Sequence, residues 1–294
     1  MSWNIHGNLD MKFENQDFIN VFTDYDIIFL NECWISYKSR FELNGYSCFL
    51  KARKRKKRAK RDSGGLCIFI KNEISKFFEI VEWDNEDCII LKVKSACTNI
   101  DKDLYLFFCY MRPSTSTRNS MHDDLDIFDL LFNKISEFRN DNEIILVGDF
   151  NSRCNTLSDI IIDESSSNFD PIDELVSNVN CITKNDLIKR NIPFFRQNQD
   201  MKCNDFGHKL IELCKVSGLL ICNGRIKGDE DGKFTYIDKN GKSTSDFSLL
   251  SKGLLNFCSN FCVHTPSAFS DHCPISLNLF NIDFHDNNYS NSVI

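Results

Sequence analysis

Short apolar runs alternate along this chain with stretches whose apolar residues recur every three or four positions. The runs Asp26–Leu30, Leu66–Ile70, Cys88–Val93 and Leu104–Tyr110 are rich in aliphatic and aromatic residues and read as strands. Glu143–Gly148 (EIILVG) is nearly all apolar, as a strand covered on both faces should be. Later strands are predicted at Leu219–Cys222, Lys233–Tyr236, Thr244–Leu250 and Pro274–Leu279. Two segments carry a helical period instead. One runs through Leu125, Phe128, Leu131, Phe132, Ile135 and Phe138; the other is Phe206–Ser217, with Leu210, Leu213 and Cys214 on one face and Gly218 as its stop. Many strands with few helices between them predict two sheets packed face to face with helices outside, an α/β (α+β) arrangement. Asn151–Met201 is the least regular stretch, and no linker divides the chain, so one domain is expected over residues 1–280 with a polar tail over 281–294.

Composition supports a folded domain: of 294 residues 42% are hydrophobic and 26 are Phe, enough for a substantial core. The net charge of −7 conceals an asymmetry. Lys51–Arg61 (KARKRKKRAKR) holds nine bases and no acid, a compact cationic block in an otherwise acidic protein. It falls between two strands and so belongs to a loop or hairpin. Clustered Lys and Arg suit phosphate contacts and resemble a nuclear localisation signal; a solvated loop is the bland alternative. The 14 cysteines are scattered without a C-x-x-C pair, and several sit in apolar runs. They read as core thiols of a reduced, intracellular protein. No run is long and apolar enough for a membrane span, and no secretory leader is evident.

The polar residues at strand ends are the candidates for chemistry. In IILVGDFNSR, a buried strand exits through Gly148 into Asp149, Phe150 and Asn151. Asp149 and Asn151, two apart, face one way while Phe150 turns to the core. A carboxylate beside a carboxamide suits activation of water, and a capped turn is the equal alternative. In DIIFLNECW the strand ends in Glu32, a hard oxygen ligand of the kind Mg²⁺ takes. In SDHCPIS, Asp271 and His272 precede a strand, and Asp246 in KSTSDFSLLS could hold the imidazole in place. Asn4 and Tyr110 are further polar groups at strand tips.

The order of these pieces is more specific than any one of them. Asn4, then F-L-N-E, Y-x-x-P, G-D-F-N, S-x-x-D-F and S-D-H resembles the endonuclease/exonuclease/phosphatase superfamily from Ser2 to about Leu279. Within it the chain resembles the apurinic-type endonuclease domain of non-LTR (LINE-type) retrotransposons, through SWNIHG, GDFNSR and the NDFGHKLIELCKVSGLLICNGRIKGDEDGKFTY stretch. The resemblance implies a DNase I-like, four-layer α/β/β/α sandwich of two mixed sheets. It implies Mg²⁺, or Mn²⁺, held by Glu32 with Asn4 and Asp271 close by. Asp149 would activate water with support from Asn151, His272 would contact the scissile phosphate, Asp246 would orient that ring, and Tyr110 would stabilise developing charge. Thr235 would lie against the DNA, as would the basic residues Arg53, Lys54, Arg55, Lys56, Lys57 and Arg58. The implied activity is nicking of DNA to a 3′-hydroxyl and a 5′-phosphate by a nuclear protein acting as a monomer without an obligate protein partner. A non-DNA phosphoester substrate, or a non-catalytic nucleic-acid-binding remnant, are the competing readings. The first strand is shorter than the family's, which puts the position of Asn4 and the stability of the domain in question.

Overall fold

A computed structural model describes residues 1–55, 61–113, 126–161 and 182–286. Along the chain the strands are β1 (Ser2–Asn4), β2 (Ile27–Asn31), β3 (Tyr46–Lys51), β4 (Leu66–Lys71), β5 (Glu79–Val81), β6 (Cys88–Val93) and β7 (Leu104–Tyr110). They continue with β8 (Glu143–Asp149), β9 (Leu219–Ile221), β10 (Tyr236–Asp238), β11 (Gly241–Ser243), β12 (Asp246–Ser251), β13 (Cys258–Val263) and β14 (Ile275–Leu279). One six-stranded sheet has the order β13-β14-β1-β2-β4-β3, the other β5-β6-β7-β8-β12-β9, and β10-β11 is a separate hairpin. Both large sheets are mixed: β1–β2 and β7–β8 pair in parallel, their other neighbours antiparallel.

Alternation along the strands explains the stacking. In β7, Leu104, Leu106, Phe108 and Tyr110 point to the core between the sheets, while Tyr105, Phe107 and Cys109 point outward under helices. Every residue of that strand is buried, so a two-residue period is invisible in its hydrophobicity. The inter-sheet core is closed by Phe29, Ile68 and Ile70 from the first sheet against Leu91, Phe108 and Ile145 from the second. Helices Ile127–Ser136 and Asp205–Ser217 cover the outer face of the second sheet. Leu9–Phe13 and Gln16–Asn20 contribute Leu9 and Phe18 to the core outside the first. This is the expected four-layer α/β/β/α arrangement.

Local signals worked where the chain obeys one period. The helix expected over Phe206–Ser217 runs Asp205–Ser217 and is stopped by Gly218 at φ 65°, as expected; the Asn204 side chain caps its start. They failed on half-covered segments. β3 is half-buried along its whole length and β13 nearly so, and neither was predicted. The expected strand Lys233–Tyr236 yields only β10, beginning at Tyr236; Thr235 before it pairs its N–H with the Ser243 carbonyl and turns its hydroxyl to Asp246. The expected tail does not begin at 281. Phe284 stacks on Phe77 at 5.3 Å, and the His285 N–H donates to the Cys97 carbonyl. Residues 287–294, most of that tail, lie outside the described residues, as do Leu125 and much of the irregular 151–201 stretch. The described cysteines are all free, and most are buried. No helix among the described residues is long and apolar enough to cross a membrane.

Candidate active site

Register brings the polar strand ends together. Asp149, the last residue of β8, is paired with Tyr110 of β7 on one side and with Asp246 of β12 on the other. Gly148 is required here: it has φ 146°, and a Cβ would fall 1.8 Å from the Cys109 carbonyl oxygen. Beyond Asp149 the chain turns through Asn151 at φ 48°. That turn returns the Asn151 N–H to Asp149 Oδ1 at 2.9 Å, and puts its Nδ2 3.5 Å from Oδ2 and 2.7 Å from the Met111 carbonyl. Phe150 is fully buried between them. The capped turn is thus realised, and it leaves the Asp149 and Asn151 side chains side by side.

His272 arrives from the turn before β14. Its carbonyl accepts from the Trp3 indole (2.8 Å), and its N–H donates to the Ser270 hydroxyl (3.1 Å). The ring sets Nδ1 2.8 Å from Asp246 Oδ2 and Nε2 3.9 Å from Asp149 Oδ2. The same Asp246 oxygen accepts from the Thr235 hydroxyl (2.7 Å) and the Ser245 hydroxyl (3.0 Å). Burial alone would lower the His272 pKa. The adjoining Asp246 carboxylate outweighs it, with Asp149 and Asp271 adding to the effect, and raises the value to about 10. Burial, then the Asp246 charge, pushes Asp149 up to about 7, against the pull of His272 and its N–H donors. A carboxyl poised near neutrality beside a charged imidazole is a proton-handling arrangement.

Across from it, Asn4 at the end of β1 donates one Nδ2 to both Glu32 Oε1 (3.0 Å) and Asp149 Oδ2 (2.9 Å), and its Oδ1 accepts the His6 N–H (3.0 Å). The carboxamide therefore holds two carboxylates together while its oxygen accepts a backbone N–H. Tyr110 is bonded to Glu32; burial, then the charges of Glu32 and Asp149, keep its hydroxyl protonated far above the usual range. Asn31, in register with Asn4, is fully buried and neither of its side-chain polar atoms has a protein partner. Such orphaned groups mark a place for water. Carboxylate oxygens beside unsatisfied polar groups fit a hard divalent cation that retains several waters. Asp149, Asp246 and His272 also lie within 4.8 Å of one another and form a possible ligand set. A protonated imidazole already bound to Asp246 is a poor metal ligand, so Glu32 is the better anchor. Both Asp271 oxygens lie 2.9 Å from His6 Nδ1.

Two sequence assignments are corrected. Thr235 is fully buried and serves Asp246, so it is a positioning residue for the His272 partner and not a surface contact for DNA. Arg53 is also turned inward: its side chain is 6% exposed, ion-paired with Asp87, and its guanidinium lies 5.4 Å from the Tyr110 ring centroid. Its charge faces Asp87 and the Tyr110 ring rather than solvent. Lys54 and Arg55 are exposed, and Lys56, Lys57 and Arg58 lie outside the described residues. Ser245, Asn31 and His6 were not anticipated. Only His6, one residue past Ile5 in the same quoted motif, carried a side chain that could have raised suspicion.

An acid–histidine–acid chain lies at the meeting of two sheet ends, in an α/β/β/α sandwich of the DNase I-like class. The Endonuclease/Exonuclease/phosphatase family profile matches residues 1–272, and the chain belongs to that family. No curated protein matches it in sequence. Among solved structures it is similar to the catalytic domain of Xenopus laevis APE2, at 14% identity and TM-score 0.61, over 96% of this chain and 91% of that one. It is similar also to a 3′ phosphatase, NExo, from Neisseria bound to product DNA hairpin (14%, TM-score 0.58, 95% and 97%). The 3′-5′ exonuclease NExo from Neisseria meningitidis matches as well (14%, TM-score 0.56, 95% and 98%). At these identities the likeness speaks for the fold; the family match and the site together identify a nuclease- or phosphatase-type hydrolase.

Proposed function

We propose that the protein is a divalent-cation-dependent phosphodiester hydrolase that nicks DNA, leaving a 3′-hydroxyl and a 5′-phosphate. The observation that carries this is the chain Asp149–His272–Asp246 facing the Asn4-bridged Glu32. In it Asp149, held by the Asn151 N–H and Asn4 Nδ2, accepts the proton of the attacking water. His272 donates from Nε2 to a phosphate oxygen, its charge fixed by Asp246. Tyr110, held protonated, can exchange its bond to Glu32 for one to the leaving oxygen. A Mg²⁺ or Mn²⁺ at Glu32 would neutralise phosphate oxygens. The basic block is the electrostatic support for a DNA substrate, and the structural relatives named for DNA-processing activities agree with it.

The finer assignment, a non-LTR retrotransposon-type endonuclease working in the nucleus, rests on the GDFNSR and NDFGHKLIELCKVSGLLICNGR segments and the basic block. The test is nicking of supercoiled plasmid. Cation-dependent relaxation that chelator stops, and that Asp149→Asn loses, is the expected result. Turnover of a lipid or inositol phosphate without any nicking would move the substrate elsewhere within the same family.

A further inference from the structure

Trp34 occupies a backbone conformation that bulky L side chains avoid. Its φ is 52°, in the left-handed region, and so are those of Glu32, two residues earlier, and of His6 beside it. A non-glycine residue there is uncommon, and an aromatic one is an outlier whose surroundings must hold it. They do. The Trp34 N–H donates to the Gly64 carbonyl at 2.7 Å. The indole lies against Gly7, itself at φ 82°, where a Cβ would come within 2.0 Å of the ring. The His6 ring is tilted 60° to it at 5.8 Å. The Arg61 guanidinium, on an exposed side chain, stands 3.9 Å from the indole centroid.

The loop that follows continues the pattern. Tyr37 is 79% exposed, Lys38 stands over its ring at 5.8 Å, and Arg40 is exposed. The Ser36 N–H to Ser39 hydroxyl bond (3.1 Å) ties this loop back on itself. Strained residues that the fold over-determines gather where function uses them. No step of the acid–histidine chemistry uses an indole. Interleaved aromatic and cationic side chains are, however, how proteins grip single-stranded nucleic acid.

We propose that Trp34, covered by Arg61 and extended by Tyr37, is a stacking platform for an unpaired nucleobase flanking the scissile phosphate. The inference rests on the DNA reading above and sharpens its substrate class. The base replaces the guanidinium against the indole, and the released Arg61 meets a backbone phosphate. The enzyme then prefers DNA opened next to the cut, in a single strand, a frayed end or a hairpin, over a fully paired duplex.

The test compares cleavage of a paired oligonucleotide duplex with one carrying an unpaired base beside the cut. Wild type should favour the open substrate. Trp34→Asn, whose side chain tolerates the left-handed region, should raise KM for that substrate by about tenfold at little cost in kcat and erase the preference. Trp34→Phe should keep most of it. A folded Trp34→Asn protein with both KM values unchanged would overturn the platform. If wild type cleaves no DNA, the chemical reading fails separately. The platform is then judged by anisotropy of a labelled single-stranded oligonucleotide on the Asp149→Asn protein with and without Trp34→Asn: a drop in affinity supports it, and equal affinity overturns it.

Discussion

On one side of the site Asp149, Asp246 and His272 are only 1%, 2% and 8% exposed, and hydroxyls and N–H groups fix their carboxylates from several directions. A few ångströms away, across Asn4, the arrangement reverses. Glu32 is half-buried on a left-handed backbone, Asn31 is left with unpartnered polar atoms, and Trp34 is held in strain at the rim. The first half is dry, over-constrained and suited to moving protons at fixed atoms. The second is strained and left with unsatisfied polar groups, and is suited to receiving what comes from solvent. Asn4 joins the two through a single nitrogen, which couples the base to the cation side without merging them.

If that division is right, the two carboxylates fail differently. Asp149→Asn should lower kcat by about 10²–10⁴-fold at every cation concentration, because the proton acceptor is gone. Glu32→Gln should instead raise the cation concentration for half-maximal rate, with activity partly restored by excess cation. Initial rates across a Mg²⁺ titration separate the cases. Identical titration curves for the two variants would dissolve the distinction.

Within the dry half, effects should fall off with distance from the reacting atoms. Asp246→Asn should cost about 10–100-fold in rate and move the alkaline limb of the pH–rate profile to lower pH, since His272 loses the carboxylate that raises its pKa. Thr235→Val removes one of the donors to Asp246 and should act in the same direction, more weakly, with a stability loss of about 2 kcal/mol from the hydrogen bond to a buried charge. Rate loss for Thr235→Val exceeding that of Asp246→Asn would place the threonine at the substrate after all.

The last effect expected is on the pH dependence of folding. His272 is raised from 6.5 to about 10, so its contribution to stability is complete below pH 6.5 and lost as pH climbs toward 10. Asp149, raised from 3.8 to about 7, keeps in the folded state a proton that the unfolded chain releases; stability falls between those values and is level above them. Denaturant midpoints measured in chelator should decline from pH 6.5 to 10 in wild type and decline less in His272→Gln. Parallel declines would mean the network does not titrate as a unit.

Sequence alone determined the pieces whose physics is local: the fully covered strands β7 and β8, the capped helix Asp205–Ser217, and the strand-end motifs holding Glu32, Asp149, Asp246, Asp271 and His272. It also gave the order of those motifs, from which the fold and family followed. Residue type and a period of two or three to four are enough for that. Tertiary structure alone decided which way side chains turned once chain segments distant in sequence met. Thr235 and Arg53, polar and cationic, read as surface contacts until Asp246 and Asp87 claimed them in the interior. Asn4 became a bridge because β1 and β8, 145 positions apart, end at one place. Trp34 acquired its left-handed backbone from Gly7 and Gly64, neither of which marks it in the chain. Burial and pairing between remote segments are properties of the register between strands, and no window along the sequence contains them.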